Sequence, residues 1–142
     1  MSHALTLEQA HQIIHGALAH SKAAGYKPMG IAVLDGSGHL KAYASEDGAS
    51  MFRFEIARGK AWGAIGMGAS SRALAQRAKD NPNFYVALAA AADGKFLPQP
   101  GAVLIQDAQG TVIGAVGASG GTGDEDEAIC MAGVAAAGLV SG

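Results

Sequence analysis

The stretch from Thr111 to Leu139 constrains the fold of this chain more than any other, because it combines three local signals. Its first part, Thr111 to Ala118, is rich in β-branched and small residues and predicts a strand. Glycines at positions 117, 120, 121 and 123 then predict a sharp turn. Thr122 and Glu125 have the spacing of a capping box, so the sequence predicts that a helix starts directly after the turn.

The predicted helix begins with four consecutive acids, Asp124 to Glu127. Acidic side chains are favourable in a first helical turn, because the helix dipole places positive charge there. The same carboxylates would repel a phosphate, so the glycine-rich turn is not interpreted as a phosphate-binding loop. Further along, apolar and small residues at helical spacing predict one buried face, made of Ile129, Gly133, Ala136, Ala137 and Val140.

Residues 117–121 also fit the pattern G-x-S-x-G between a strand and a helix, the form of a nucleophile elbow. In that arrangement an acid and then a histidine must follow the serine along the chain. The last histidine here is His39, so the sequence does not support Ser119 as a triad nucleophile.

Composition favours one domain over residues 1–142, a length that can bury a substantial core. Apolar residues make up 49% of the chain and charged residues only 15%, which predicts a surface partly covered in a homo-oligomer. A formal net charge of −2 gives no electrostatic footprint for nucleic acid. The single cysteine, Cys130, fits a reducing compartment and is predicted to be a buried structural thiol.

The N-terminal sequence has no basic region followed by an apolar run, and it is not interpreted as a secretory signal. No uninterrupted apolar run reaches the roughly 18 residues that a membrane span requires, so no membrane association is expected. Together these features predict a cytoplasmic protein.

The remaining elements follow from periodicity, caps and turn residues. Thr6 and Gln9 form a second capping box, and Ser50 is predicted to cap a long helix. Two turns, at 35–38 and 107–110, predict β-hairpins. The predicted helices are Thr6–Ala24, Ser50–Gly68, Ser70–Ala78 and Asn83–Ala92, and the predicted strands are Met29–Leu34, His39–Ala44, Ala102–Gln106 and Thr111–Ala118. Strands that come as hairpins between helical runs favour an α+β fold with an antiparallel sheet.

Two histidines on the first predicted helix could bind a metal. His11 and His15 are four residues apart and therefore neighbours on one helical surface. Such a pair can hold a metal ion or offer an axial ligand to haem iron. The alternative is that both are solvated residues beside the buried stripe, which is the more frequent situation when no further ligand cluster is visible.

Four sequence blocks in order resemble the GlcG/HbpS-like, haem-degrading family. They are GIAVLDGSGHLKAYASEDGAS, EIARGKAW, PQPGAVLIQDAQG and TVIGAVGASGGTGDEDE, and the resemblance covers nearly the whole chain. It implies a profilin-like α+β fold with an antiparallel sheet flanked by helices. It also implies oligomeric assembly and haem binding, with iron or haem degradation in some members.

The resemblance further implies that two loops border the ligand pocket, and this chain departs from the family pattern in both. Ser45 and Glu46 stand where members usually carry Arg-Met before Asp-Gly-Ala, and Ala102 stands where many have a second glycine after Pro-Gly. Losing that arginine removes a carboxylate-binding fork, which Arg53 could supply instead. The loop residues are Asp47, Gly48, Pro100 and Gly101, and the small-residue turn with Ser119, Gly120 and Gly121 is expected to form another wall.

Two functions are compatible with these residues. In the first, the protein binds haem, with His15 or His11 as the iron ligand and Arg53 or Lys60 near the propionates. Met51, Phe52 and Trp62 would then line the slot, although their helical spacing is equally typical of core packing.

In the second, a cofactor-free isomerase, tautomerase or deaminase/hydrolase acts on a small carboxylated metabolite of a catabolic pathway. Its catalytic candidates are Lys60, Asp126 and Asp47, because such reactions need a carboxylate or a lysine in a cleft. The alternative for Asp126 is helix-start electrostatics, and for Lys60 a solvated helix face.

Overall fold

A computed structural model describes residues 4–142. Within them, five helices and a five-stranded antiparallel sheet confirm the predicted α+β class. The elements in chain order are α1 (Leu7–Ala24), β1 (Gly30–Asp35), β2 (Leu40–Ser45), α2 (Phe52–Met67), α3 (Ser71–Asp80), α4 (Pro82–Ala91), β3 (Ala102–Gln106), β4 (Val112–Ser119), α5 (Gly123–Ala136) and β5 (Val140–Ser141).

Helices cover both faces of the sheet. Helices α1 and α5 pack on each other and on one face, around a core of buried aliphatic side chains such as Ile13, Ile31 and Ile129. Helix α2 lies on the other face, against a smaller core that includes Leu34, Leu104 and several alanines. Helices α3 and α4 continue from α2 around a third cluster. The predicted arrangement of helices flanking the sheet is therefore confirmed, while the profilin-like relation and the one-domain boundary stay predictions.

The order of strands, β2-β1-β4-β3-β5, places β4 at the centre of the sheet. Ser119, at the end of β4, pairs with Gly30 at the start of β1, and Gly117 pairs with Ala102 at the start of β3. The glycine-rich turn therefore leaves the sheet at the edge where β1 and β3 begin. That edge is where polar side chains from α2 and α5 meet.

Both predicted capping boxes are confirmed. The side chain of Thr6 accepts from the Gln9 amide and that of Thr122 from the Glu125 amide, and each box is completed by the reciprocal bond. These bonds satisfy amide donors that a helix leaves unpaired at its N-terminus.

Two details of the sequence prediction are wrong. Ser50 does not cap α2: Met51 occupies the N-cap position, without a side-chain cap bond, and the Ser50 hydroxyl accepts from Arg53 Nε at 3.4 Å instead. The predicted buried face of α5 is wrong at Ala136, which is exposed, and at Val140, because the helix ends at Ala136. Val140 belongs to a two-residue strand that pairs with the end of β3, and it is half exposed.

None of the helices within residues 4–142 combines the length and hydrophobicity needed to cross a bilayer.

Candidate functional site

An open cleft of about 530 Å³ lies where α2, the end of β4 and the start of α5 come together. The loop between α4 and β3 forms its remaining wall. The residues that line it are Arg53, Ile56, Lys60, Leu97, Gln99, Pro100, Ser119, Gly121, Thr122, Gly123, Asp124 and Asp126. Its volume falls within the range of small-molecule pockets.

A buried ion pair forms the floor of this cleft. Lys60 and Asp126 are 5% and 2% exposed, and Lys60 Nζ lies 3.0 Å from Asp126 Oδ2. The ammonium also donates to the carbonyl oxygen of Ala118 at 3.0 Å. The second carboxylate oxygen, Oδ1, accepts from the amide of Gly121 at 2.9 Å. The pair thereby connects α2, β4, the glycine-rich turn and α5.

Gly101 packs directly against this pair. Its φ of +130° lies in the region that favours glycine, and a Cβ atom built on it would come 2.6 Å from Lys60 Nζ and 3.0 Å from Asp126 Cβ. Since both charges are buried, each depends on the other, and removing one partner would leave an uncompensated charge. Gly101 therefore closes the cleft floor without displacing the ammonium.

Arg53 lies to one side of the Lys60–Asp126 pair and has no carboxylate partner within residues 4–142. Its Nη1 donates to Ser119 Oγ at 2.9 Å, and its Nε donates to Ser50 Oγ at 3.4 Å. Ion pairs within residues 4–142 involve other cations, not Arg53. The residues at positions 53, 56 and 60 all line the cleft, as expected for one face of a helix.

Arg72, on α3, pairs with the two remaining acids at the rim. Its Nη2 contacts Asp124 and its Nε lies 3.0 Å from Glu127 Oε2. Hydrogen bonds to Glu127 and then to Asp124 raise the pKa of the Arg72 guanidinium. The four acids at the start of α5 therefore have specific partners besides the helix dipole: Arg72 for two of them, the capping box for Glu125 and Lys60 for Asp126.

The structure brings together several of the predicted site residues and leaves others apart. Arg53, Lys60, Pro100, Ser119, Gly121 and Asp126 line the cleft, and Gly101 contacts its floor. Gly120 lines a neighbouring depression with Gly25, Tyr26 and Lys27.

His11 and His15 are exposed on α1, and neither lines the cleft. Asp47 and Gly48 are exposed in the loop between β2 and α2 and are also outside its lining. Of the apolar residues predicted for a haem slot, Met51 and Phe52 are 81% and 57% exposed, and Trp62 lines a separate apolar depression with Phe96.

Sequence reasoning predicted Pro100 of the apolar wall but missed Ile56 and Leu97, and it also missed Gln99. Ile56 could have been found from its helical spacing to Arg53 and Lys60. Leu97 and Gln99 lie in an irregular loop, and no local pattern marks them.

Cys130 is buried, as predicted, and its Sγ lies 3.4 Å from the carbonyl oxygen of Gly101. Burial raises the pKa of this thiol, and the nearby Asp126 carboxylate raises it further. No group of three or more His, Cys, Asp or Glu residues able to hold a metal ion occurs within residues 4–142.

The architecture and the cleft define a class of protein: an α+β fold whose antiparallel sheet is flanked by helices and ends in a partly polar cleft. The chain belongs to the HbpS-like family, because the family model described as "Haem degrading protein HbpS-like" matches residues 5–135. No curated protein sequence matches the chain.

Solved structures agree with the family assignment. HbpS is 28% identical with a TM-score of 0.81, and the match covers 95% of this chain and 91% of that one. A PduOC–haem complex is 24% identical with a TM-score of 0.85, covering 96% and 97% of the two chains. Protein ORFY of Klebsiella pneumoniae is 20% identical with a TM-score of 0.87, covering 97% and 93%. The last two matches show a shared fold.

Proposed function

We propose that this protein binds haem and that the cleft at the end of β4 receives part of the macrocycle. The observation that carries the proposal is the family match over residues 5–135, a range that includes all of the cleft-lining residues named above. Likeness to HbpS over 95% of the chain, and to a protein crystallised with haem, supports it.

The cleft fits the periphery of haem better than its iron. Ile56, Leu97 and Pro100 offer an apolar wall, which a macrocycle requires. Within residues 4–142, the lining contains no histidine, cysteine, methionine or tyrosine, the side chains that bind haem iron. Bound haem would supply an iron centre whose reactivity depends on its axial ligand. That ligand must come from outside the cleft.

We propose His15, with His11 as the alternative, as the iron ligand, and a homo-oligomer as the assembly that brings it to the cleft of a second copy. Both histidines are exposed and free to approach another chain. Large apolar side chains are also exposed, including Met51, Phe52 and Val86, which supports association. A cytoplasmic location remains part of the proposal.

Reconstitution with haem tests these points. We expect a Soret band at one haem per chain, weakened in His15→Ala and lost in the double variant with His11→Ala. His20→Ala is the matched control, since His20 is another exposed histidine of α1. A full Soret band in the double variant would exclude both ligands. A colourless protein at saturating haem would contradict haem binding itself.

Haem degradation is the further activity that the family description names, and we propose it as an extension of haem binding. Incubation of the haem-loaded protein with a reductant and oxygen, followed by analysis of pigment and released iron, tests it. A Soret band of the haem-loaded protein that stays unchanged, over a period in which the band of free haem decays, would contradict haem degradation.

A second candidate, a cofactor-free enzyme for a small carboxylated metabolite, is favoured by one observation: the Lys60–Asp126 pair lies in the cleft lining beside Arg53. Such a pair can hold and move a proton in a site that is partly screened from water. A colourless protein whose melting temperature rises with small dicarboxylates would support this candidate through mass action. An unchanged melting temperature with a panel of such acids would count against it.

A further inference from the structure

We infer that the free hydrogen-bond donors of Arg53 and Ser119 form a carboxylate-binding site at one end of the cleft, and that Lys60 takes no direct part in it. The inference deepens the proposed function, since it concerns the same cleft, but it holds for a free carboxylic acid as well as for a haem propionate.

The two cations that line the cleft, Lys60 and Arg53, differ in their hydrogen-bond partners. Lys60 Nζ already has Asp126 and the Ala118 carbonyl oxygen as acceptors at 3.0 Å, and Gly101 covers it. An incoming anion would compete with a buried carboxylate for this ammonium and would be repelled by it. The charge of Lys60 is therefore already compensated by Asp126, and this buried ion pair has a structural role in the cleft floor.

Arg53 is in the opposite situation. A guanidinium has five N–H donors, and in Arg53 only Nε and Nη1 donate hydrogen bonds, each to a serine hydroxyl. Both hydrogens of Nη2 and one of Nη1 have no acceptor within residues 4–142. The positive charge is half buried and has no carboxylate beside it. The free N–H groups of Nη2 and Nη1 can therefore donate charge-assisted hydrogen bonds to the oxygens of a carboxylate.

Ser119 provides a further free donor beside the Arg53 guanidinium. The residue is 2% exposed and its hydroxyl oxygen accepts from Arg53 Nη1, so this oxygen is held in place. A hydroxyl also donates one hydrogen, and for Ser119 no acceptor of it occurs in the described part of the chain. Because both side chains line the cleft, an oxygen of the ligand is the acceptor that fits them.

The nearby acids do not cancel this site. Asp126 is paired with Lys60, and Asp124 is paired with Arg72. Among the described charged residues that line the cleft, Arg53 is therefore the one without an oppositely charged side-chain partner, although Arg72 is shared between Asp124 and Glu127. The apolar wall of Ile56, Leu97 and Pro100 completes the description of the ligand: an anionic head group attached to an apolar body.

The test compares acids with neutral analogues on the full-length protein. Iron protoporphyrin IX is compared with its dimethyl ester, and hexanoate with hexanamide, by titration of absorbance and by calorimetry. We expect the acid of a pair to bind about tenfold more tightly than its neutral analogue, as for a charge-assisted hydrogen-bonded contact. In Arg53→Gln this preference should disappear.

Variants separate the charge from its geometry. Arg53→Lys keeps the charge but loses the planar fork, and we expect it to recover only part of the preference. Ser119→Ala should reduce the preference by less than Arg53→Gln. Arg77→Gln is the matched control, because Arg77 is an exposed arginine of α3 that does not line the cleft. Circular dichroism checks that each variant is folded, and the acid–ester comparison on the unchanged protein needs no variant.

The outcomes distinguish this inference from haem binding. An acid preference for protoporphyrin that requires Arg53 supports both and identifies a propionate as the source. Arg53-dependent binding of hexanoate without haem binding supports the inference, identifies a free acid and overturns the proposed function. Equal binding of acid and ester in the unchanged protein, with no Arg53-dependent hexanoate binding, overturns the inference while haem binding stands. Failure of all four probes to bind overturns both.

Discussion

The two faces of the sheet are built from different side chains. The face under α1 and α5 buries large aliphatic residues, including Ile13, Ile31 and Ile129, and the helices there begin with complete capping boxes. The face under α2 buries mostly alanine with two leucines, and α2 has no side-chain cap. A Cβ atom on Gly117 of β4 would collide with the Ala57 carbonyl oxygen, so α2 approaches the sheet backbone closely.

This difference shows how one sheet can support both stability and a binding cleft. Large apolar side chains contribute most hydrophobic stabilisation, in proportion to the area that they remove from water. Small residues contribute less, but they let α2 lie close enough for Arg53 and Lys60 to reach the end of β4. The polar cluster therefore forms where α2, on the face with the smaller core, meets the end of β4 and the start of α5.

The largest expected effect is on the cleft side. Asp126→Ala should lower the free energy of unfolding by about 3–5 kcal/mol, because it leaves the buried Lys60 ammonium without its partner. Urea unfolding measures this change. The double variant Lys60→Met/Asp126→Leu should recover most of the loss, since apolar replacement of a buried pair is often neutral. A double variant as unstable as the single one would show that the unpaired charge is not the cause.

On the opposite face, Ile129→Ala should destabilise the protein by about 2–5 kcal/mol through lost burial and the cavity left behind. Ligand binding in the cleft should stay unchanged in the folded variant. Met131→Ala is the control in the same helix, because Met131 is 47% exposed and should change stability by about 0.5 kcal/mol or less. Equal losses for both variants would contradict the description of this core.

The two capping boxes sharpen the comparison. Thr6→Ala and Thr122→Ala should each cost about 1 kcal/mol, the usual effect of losing an N-cap hydroxyl. Only Thr122 lines the cleft, so only its replacement should also weaken ligand binding. Chemical unfolding and ligand titration on the same two proteins provide the measurement. Weaker binding in Thr6→Ala would contradict the location of the binding cleft at the start of α5, away from the start of α1.

The smallest effect is expected at the rim. Arg72→Gln removes an exposed pair of contacts to Asp124 and Glu127, so any change in melting temperature should be small and confined to low salt. Melting curves at low and high ionic strength test this. A difference that persists in about 1 M salt, where the screening length is about 3 Å, would show that Arg72 does more than pair with exposed charges.

The sequence predicted those parts of the fold whose signals are local. Thr6 with Gln9, and Thr122 with Glu125, were sufficient to locate two helix starts, and turn residues located both hairpins. The strand that contains Val140 was not predicted, because two residues carry no periodicity and the strand forms by pairing with β3. The prediction that Ser50 caps α2 failed because the residue type alone does not show what its hydroxyl will bind. In the structure this hydroxyl accepts from the Arg53 side chain and not from a backbone amide of α2.

The site was predictable in its residue types but not in its pairings. Lys60 and Asp126 were both candidates, yet they are 66 residues apart and nothing local indicates that they neutralise each other. The same separation applies to Arg53 and Ser119. Such contacts depend on how closely α2 approaches the sheet, which is a property of the packed structure and not of any segment. The roles of His11 and His15 stay predictions.

The close packing of Gly101 against Lys60 and Asp126 links three positions that are far apart in the sequence. Any residue larger than glycine there would occupy the volume of the Lys60 head group and would also meet an unfavourable φ. A homologue that tolerates alanine at this position should therefore carry a shorter or uncharged residue in place of the lysine, together with a neutral one in place of Asp126. We therefore expect the residues at positions 60, 101 and 126 to change together among homologues.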